Sequence, residues 1–156
     1  MIKRKWEIVM YIIVFIVTFL VSAFIRIQFL GGAPAKLLAV DWDESMGTIY
    51  SDLNYENEHN HKYDLYIPSG LNKSEVQFLI VYIHGGSFNS GKKEDGDGWC
   101  KYFATKGYIT ATIDYTLQTH GEEATIQLIN CEIEQATAAM KDKLKELGYQ
   151  VNAMAT

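Results

Sequence analysis

The feature that most constrains this chain is an uncharged, almost wholly apolar run of 18 residues from Ile8 to Ile25. As a helix it rises roughly 27 Å, which is close to the hydrocarbon thickness of a bilayer. Its residues are apolar on every side, unlike the one-sided stripe of a helix that packs on a soluble core. The chain therefore divides into a membrane-directed segment, residues 1–30, and a remainder that has to fold in water.

Two interpretations of the N-terminal segment stay open. The basic residues Lys3-Arg4-Lys5 precede the apolar run and favour a signal anchor with a cytoplasmic N-terminus and the rest of the chain outside. Val21-Ser22-Ala23 is an acceptable cleavage site, so secretion after signal cleavage is the alternative. The run exceeds the usual h-region of about 7–15 residues, so we predict an uncleaved, single-pass anchor whose residues 8–25 contact the lipid bilayer. Residues 31–36 are predicted to form a linker, and residues 37–156 a folded domain.

The composition of residues 31–156 excludes one class of partner. This part carries ten basic and 18 acidic residues, a net charge of −8. Nucleic-acid binding is not expected, because phosphate neutralisation needs a basic face. The two cysteines, Cys100 and Cys131, show neither CxxC spacing nor a metal-ligand pattern, so we predict free thiols that pack as small apolar groups.

The pattern of the folded domain alternates between strands and helices in the order β-β-β-α-β-α-β. The predicted strands are 48–54, 62–67, 77–83, 108–113 and 151–156, and the predicted helices are 98–106 and 125–147. The first two strands form an antiparallel hairpin. The apolar run Gln77–Ile83 indicates a strand buried on both faces. This alternation predicts an α/β fold, a mostly parallel sheet with helices on both faces, which would keep Cys100 and Cys131 too far apart to pair.

The most informative motif is the stretch Val81–Lys92, which reads Val-Tyr-Ile-His-Gly-Gly-Ser-Phe-Asn-Ser-Gly-Lys. In it a buried strand leads into His84-Gly85-Gly86 and a loop of small residues. Glycines let the backbone turn sharply and come close to a bound group. Amides in such a loop can donate to the oxyanion of ester hydrolysis, which needs donors about 3 Å away.

This stretch resembles the HGGG-type oxyanion loop of lipases and small carboxylesterases in the α/β-hydrolase superfamily. Two flanking segments support the resemblance. Lys62–Pro68 is similar to the DLYLP strand that precedes the loop, and Gly107–Tyr115 resembles the GY-apolar-DYRL strand that follows it. The three segments stand in the family's order within residues 47–156. The resemblance implies the N-terminal part of an α/β-hydrolase fold, preceded by one transmembrane helix.

The resemblance also implies site residues. It assigns Gly85 and Gly86 to the oxyanion hole, with His84 and Ser87 as support for the loop. His84 is expected to hold the loop by a hydrogen bond, because the family's catalytic histidine lies near the C-terminus. Ser87 replaces a third glycine, and Thr116 stands where arginine is common, so a supporting contact there is in doubt. No metal and no organic cofactor are implied.

The family's nucleophile elbow, Gly-x-Ser-x-Gly, does not occur in this sequence. In the family order the elbow follows the strand that begins at Val151, so the nucleophile, acid and base are all expected beyond Thr156. The sequence thus predicts the N-terminal portion of a membrane-anchored serine carboxylic ester hydrolase, acting on a small-molecule ester and inactive alone. The alternative is a non-catalytic membrane-anchored binding protein derived from a decayed or split hydrolase.

The remaining polar candidates are assigned to structural roles. Glu58, His59 and His61 are expected in a solvated hairpin turn and not at a metal. Asp95–Gly98 lacks the other ligand positions of a calcium loop. Asp114 is expected to be a structural carboxylate at a strand end.

Overall fold

The computed structural model describes residues 2–29, 39–55, 61–118 and 124–155. The chain divides into two compact units, Met1–Leu37 and Leu38–Thr156. The predicted linker 31–36 and the hairpin residues Glu58 and His59 lie outside the described residues.

The first unit contains helix α1, Ile2–Phe29, which includes the predicted apolar helix 8–25. Within it, the 20 residues Trp6–Ile25 are long and apolar enough to cross a membrane, and this is the one such span among the described residues. Membrane anchors and signal sequences share this form.

The second unit is a five-stranded sheet with the strand order β1-β2-β4-β3-β5. Its elements in chain order are β1 (Gly47–Asn54), β2 (Lys62–Pro68), β3 (Val76–Ile83), a 3₁₀-helix (Lys93–Gly96), α2 (Asp97–Ala104), β4 (Ile109–Ile113), α3 (Ile126–Glu146) and β5 (Gln150–Ala155). The predicted order of strands and α-helices is confirmed. The 3₁₀-helix is an addition that the sequence pattern did not indicate.

The sheet is antiparallel on one side and parallel on the other. β1 pairs with β2 and β2 with β4 in antiparallel fashion, which confirms the predicted hairpin. β3 pairs in parallel with β4 and with β5. The chain therefore leaves β3 for β4 on one side and returns to β5 on the other. Two right-handed crossovers in opposite directions place α2 and α3 on opposite faces, as predicted.

The main core lies between the sheet and α3. It consists of Tyr63, Leu65, Ile67, Leu79, Val81, Ile109, Ala111, Ile113, Ala136, Met140 and Leu144. α3 begins where the Thr125 hydroxyl accepts a hydrogen bond from Leu128 N at 3.1 Å, an ordinary N-cap. Alternate residues of the same strands point to the other face, where Tyr66 packs with Cys100 and Ala104 of α2.

Candidate functional site

The expected oxyanion loop is the connection His84–Lys92, which links β3 to the 3₁₀-helix. β3 and β4 are parallel and in register, with Ile83 opposite Ile113 at their carboxyl ends. The loop therefore leaves the sheet beside the segment that follows β4, which we call the β4 exit segment, Asp114–Gln118. This edge is where open α/β sheets place their ligand sites.

His84 joins β3 to the loop and is buried, with 3% of its surface exposed. Its Nδ1 lies 3.0 Å from the carbonyl oxygen of Gly85. Its ring stacks on that of Tyr115, with the centroids 4.2 Å apart, and the Tyr115 hydroxyl donates to the carbonyl oxygen of His84 at 2.6 Å. The side chain and backbone of His84 are thus both fixed by neighbouring groups.

The two loop glycines differ in what the backbone requires of them. Gly86 has a φ of +128°, and its carbonyl oxygen accepts hydrogen bonds from Asn89 N at 3.0 Å and Ser90 N at 3.2 Å. A β-carbon on Gly86 would lie 1.9 Å from the carbonyl oxygen of Ser90, so this tight turn needs glycine. A β-carbon on Gly85 would meet nothing within 4 Å, so Gly85 faces open space.

The turn presents backbone donors to solvent. The amides of Gly85, Gly86 and Ser87 have no hydrogen-bond acceptor among the described residues, and all three residues are exposed. Ser87 and Phe88 have φ values of 52° and 64°, a conformation uncommon for residues with side chains and often found at functional sites. A turn with adjacent amides that have no acceptor can bind a developing negative charge.

The β4 exit segment holds the loop at three points. Tyr115 bonds to its start at His84, as described above. Gln118 N donates to the carbonyl oxygen of Phe88, in the middle of the loop, at 2.8 Å. Lys93 N, immediately after the loop, donates to Asp114 Oδ1 at 2.8 Å. Asp114 is therefore a structural carboxylate in this geometry.

Lys93 is a buried cation at the end of the loop, with 5% of its surface exposed. Its Nζ lies 2.9 Å from both carboxylate oxygens of Asp64, and 3.2 Å from Asp52 Oδ1 and from Glu94 Oε1. Burial alone would lower the pKa of Lys93, but the hydrogen bonds to the three carboxylates outweigh it and raise that pKa. The side chain thus ties the loop to β2.

A β-bulge in β1 completes this ion cluster. The register between β1 and β2 shifts between Tyr50 and Leu53, and Asp52 has a φ of 57°. In this conformation Asp52 N donates to Asp64 Oδ1 at 2.8 Å, while the Asp52 carboxylate contacts Lys93. Sequence reasoning missed the cluster, because Lys93 stands in a highly charged stretch that is typical of a solvated surface.

Thr116 occupies the position where the resemblance leads one to expect arginine, yet it has a carboxylate partner. Its amide donates to Glu132 Oε2 at 2.9 Å and its hydroxyl to Glu132 Oε1 at 2.5 Å. Thr116 is thus bound to α3 through this carboxylate. Glu132 was missed as well, because a glutamate in a helix is ordinarily exposed.

A cavity of about 360 Å³ lies beside the loop. It is lined by Ile83, His84, Gly85, Gly86, Ser87, Phe88, Tyr115, Ile126, Ile129, Asn130 and Ile133. Among the described residues, no aspartate, glutamate, lysine or arginine lines it, so these walls suit an uncharged group. No group of three metal-ligating side chains occurs within the described part of the chain.

The BD-FAE family model matches residues 63–155, more than half of the chain. The native esterase Est2 of the Planctomycetes species Thermogutta terrifontis is similar in structure, with a TM-score of 0.54 at 19% identity over 80% of this chain and 45% of that one. Its butyrate-bound form has a TM-score of 0.54 at 19% identity, over 76% and 44%. The paraoxon-phosphorylated Thermogutta terrifontis esterase 2 has a TM-score of 0.54 at 20% identity, over 71% and 43%. No curated protein matches the chain.

These solved structures show a shared fold, and the chain spans less than half of their length. The region that the family model matches runs from β2 to β5 and contains the loop, the β4 exit segment and α3. The chain therefore belongs to the BD-FAE family, and its residues 63–155 are part of an esterase-type domain with the α/β-hydrolase fold.

Proposed function

We propose that this chain is the N-terminal portion of a membrane-anchored serine carboxylic ester hydrolase. The observation that carries the proposal is the exposed turn at Gly85–Ser87, whose three amides have no acceptor among the described residues. Amides of this kind stabilise the oxyanion of a tetrahedral acyl-transfer intermediate. Gly85 and Gly86 form the hole, and His84 and Ser87 support it.

The substrate is a small ester without charge near its reacting carbon. The apolar cavity beside the loop supports this, because the isoleucine and aromatic side chains of its described walls offer no charged partner. Backbone donors at one end and apolar walls around the rest are the usual composition of a small-molecule site.

The reaction needs a serine nucleophile, a histidine base and a carboxylate that orients the base. The sheet register indicates where the nucleophile belongs. Ala155 of β5 lies opposite Ile80 of β3. A strand continuing in this register would draw level with His84 about four residues later, and so bring an elbow beside the oxyanion loop. Without that elbow the 156-residue chain does not turn over esters, because an oxyanion hole alone gives only residual catalysis.

Helix α1 anchors the domain to a membrane, with the N-terminus in the cytoplasm and the hydrolase domain outside. The 20-residue apolar span and the preceding basic cluster Lys3-Arg4-Lys5 support this arrangement. Secretion after cleavage near Ala23 is the alternative for the same segment.

The proposal is tested by expressing the reading frame that contains this chain together with any coding sequence that follows Thr156. A frame that supplies Gly-x-Ser-x-Gly should hydrolyse 4-nitrophenyl acetate with saturation kinetics, and replacing the elbow serine with alanine should abolish the activity. The 156-residue chain should show no saturable turnover above a heat-killed control. Turnover by this chain that survives repurification would contradict its inactivity. A frame without an elbow and without turnover would favour the non-catalytic binding protein.

A further inference from the structure

Glu132 is a buried charge within the apolar stripe of α3. Only 2% of its surface is exposed, and it lies between Ile129 and Ala136 among the helix's buried residues. A carboxylate at such a position destabilises a fold unless hydrogen bonds and opposite charge compensate it. An apolar side chain at this position would pack in the core without the cost of burying a carboxylate. The contacts of Glu132 therefore have to compensate that cost.

Within the described part of the chain, those contacts come from two separate segments. Thr116 donates through its amide to Oε2 and through its hydroxyl to Oε1, at 2.9 and 2.5 Å. His61, which was expected in a solvated turn, is instead half-buried immediately before β2. It places Nδ1 3.4 Å from Oε1, close enough for an ion pair when the imidazole is protonated. Both oxygens of the carboxylate therefore hold the same residue, Thr116.

Thr116 is the central residue of the β4 exit segment, which lies beyond the last ladder position of β4. The first residue of this segment is fixed to the sheet, because Asp114 N donates to the carbonyl oxygen of Lys62 at 2.9 Å. In addition, the Tyr55 hydroxyl donates to the carbonyl oxygen of Asp114 at 2.6 Å. Thr116 is instead held by α3, through Glu132.

The residues on either side of Thr116 are the ones that reach the oxyanion loop. Tyr115 bonds to its start at His84, and Gln118 bonds to its middle at Phe88. A displacement of Thr116 would move both of these donors. The contacts between α3 and the loop thus pass from the Glu132 carboxylate to Thr116, and from there to the loop through Tyr115 and Gln118.

We propose that Glu132 is a positioning residue for the oxyanion loop, acting through Thr116 on the β4 exit segment that holds the loop. The inference rests on the proposed function, in which this loop binds the oxyanion. The resemblance leads one to expect an arginine at position 116. In this chain Thr116 stands there, and it is bound to Glu132.

Amide hydrogen exchange, followed by mass spectrometry on the full chain in detergent micelles, tests the proposal. Glu132→Gln keeps the size of the side chain but replaces one acceptor oxygen with a donor, so it cannot accept both hydrogen bonds from Thr116. In peptides covering 84–90 and 114–118, the hydrogen-bonded amides, those of Asn89, Ser90, Thr116 and Gln118, should exchange about tenfold faster, the effect of losing roughly one hydrogen bond. Peptides from β3 should not change. Glu134→Gln, the same change at an exposed position of α3, should leave all peptides unchanged.

Thr116→Val provides a second variant, in which only the hydroxyl bond to Glu132 is lost, and it should give a smaller increase in the same two peptides. A uniform increase over the whole domain would show that Glu132 only stabilises the fold, and no increase would show that it does not hold the loop. Either result overturns the proposal. The experiment involves no substrate, so its outcome is independent of whether the domain hydrolyses esters.

Discussion

The hydroxyl of Tyr115 donates a 2.6 Å hydrogen bond to the carbonyl oxygen of His84, and their rings stack with centroids 4.2 Å apart. His84 directly follows β3, and Tyr115 stands two residues beyond β4. Because these strands are parallel neighbours, both residues leave the sheet at one edge. Tyr115 therefore fixes the first residue of the His84–Lys92 loop to the exit of the adjacent strand.

Replacing Tyr115 with phenylalanine should separate the hydrogen bond from the ring stacking. The variant keeps the ring but leaves a buried carbonyl without its donor, at a cost of about 1–3 kcal/mol in the free energy of unfolding. Tyr108→Phe, at a residue that is 40% exposed, is the matched control and should change stability little. Chemical denaturation of both variants measures the difference, and equal stabilities would contradict the role given to the hydroxyl.

The stability that the Tyr115 hydroxyl contributes should depend on pH in a defined direction. Burial raises the pKa of Tyr115 above its ordinary value of 10.0. The protonated hydroxyl is thus favoured in the folded state, and its contribution is complete below the unfolded pKa. The contribution is lost as the pH rises from there through the folded pKa. The difference between the native protein and Tyr115→Phe should therefore be constant from pH 6 to about pH 9 and shrink above about pH 10.

The two loop glycines should respond differently to alanine. Gly86→Ala places a β-carbon 1.9 Å from the carbonyl oxygen of Ser90 at a φ of +128°, so the turn has to deform, at a cost of about 1–3 kcal/mol. Gly85→Ala meets nothing within 4 Å and should stay within about 0.5 kcal/mol of the native protein. Thermal unfolding of the pair measures this. If Gly85→Ala were the more damaging change, the assigned turn geometry would be wrong.

The strands and helices could be predicted because their signals are local. The apolar run Gln77–Ile83 predicts β3 to within one residue of its observed start at Val76. The apolar stripe and the following Gly148 predict a helix over 125–147, which is observed as α3 at Ile126–Glu146. Apolar spacing, caps and glycines act over a few residues, so a single sequence carries them.

The groups that brace the loop could not be predicted, because their partners are distant in sequence. Lys93 meets Asp64 from β2 and Asp52 from a bulge in β1, and neither partner is marked by spacing. Glu132 stands at a core position of α3 although glutamate is ordinarily exposed. From a sequence alone, a charged residue is expected on the solvent-exposed surface, because a buried partner is visible only in the structure. The motif thus located the loop, and only the structure shows what holds it.

Removing the charge of Lys93 should destabilise the domain strongly. Lys93→Met keeps most of the side-chain volume but leaves the buried carboxylate of Asp64 without its cation, which should cost about 3–5 kcal/mol. Lys92→Met, the same change at the exposed neighbour, should cost little. Urea denaturation at neutral pH compares the two variants. Similar losses for both would show that the buried cluster does not stabilise the fold.

The orientation of α1 can be tested by reporter fusion after Thr156. The basic cluster Lys3-Arg4-Lys5 predicts that alkaline phosphatase at this position is active outside the cytoplasm and that a cytoplasmic fluorescent reporter is dark. Replacing the three basic residues with glutamate removes the charge bias and should increase the fraction of inverted chains. A native fusion that is active only in the cytoplasm would contradict the proposed topology. Release of the mature reporter from the membrane would favour the cleaved signal peptide.

The two thiols should differ sharply in reactivity. Cys100 is 2% exposed in α2, and burial raises its pKa to about 12. Cys131 lies exposed on α3, so the prediction that both thiols are packed is wrong for this residue. At pH 8 a thiol with that pKa is ionised in only about one molecule in ten thousand, and the thiolate is the form that reacts. Iodoacetamide should therefore label Cys131 in the native protein and Cys100 only after unfolding.

The same two residues also test the arrangement of the layers. α2 and α3 lie on opposite faces of the sheet, and layers stack about 10 Å apart, so the two helices are separated by about twice that distance. A disulfide requires Cα atoms within about 7 Å of each other. Peptide mapping of oxidised, folded protein should therefore find no Cys100–Cys131 cross-link. Finding such a cross-link would place both helices on one face of the sheet. With β3 between β4 and β5, two right-handed crossovers do not allow that arrangement.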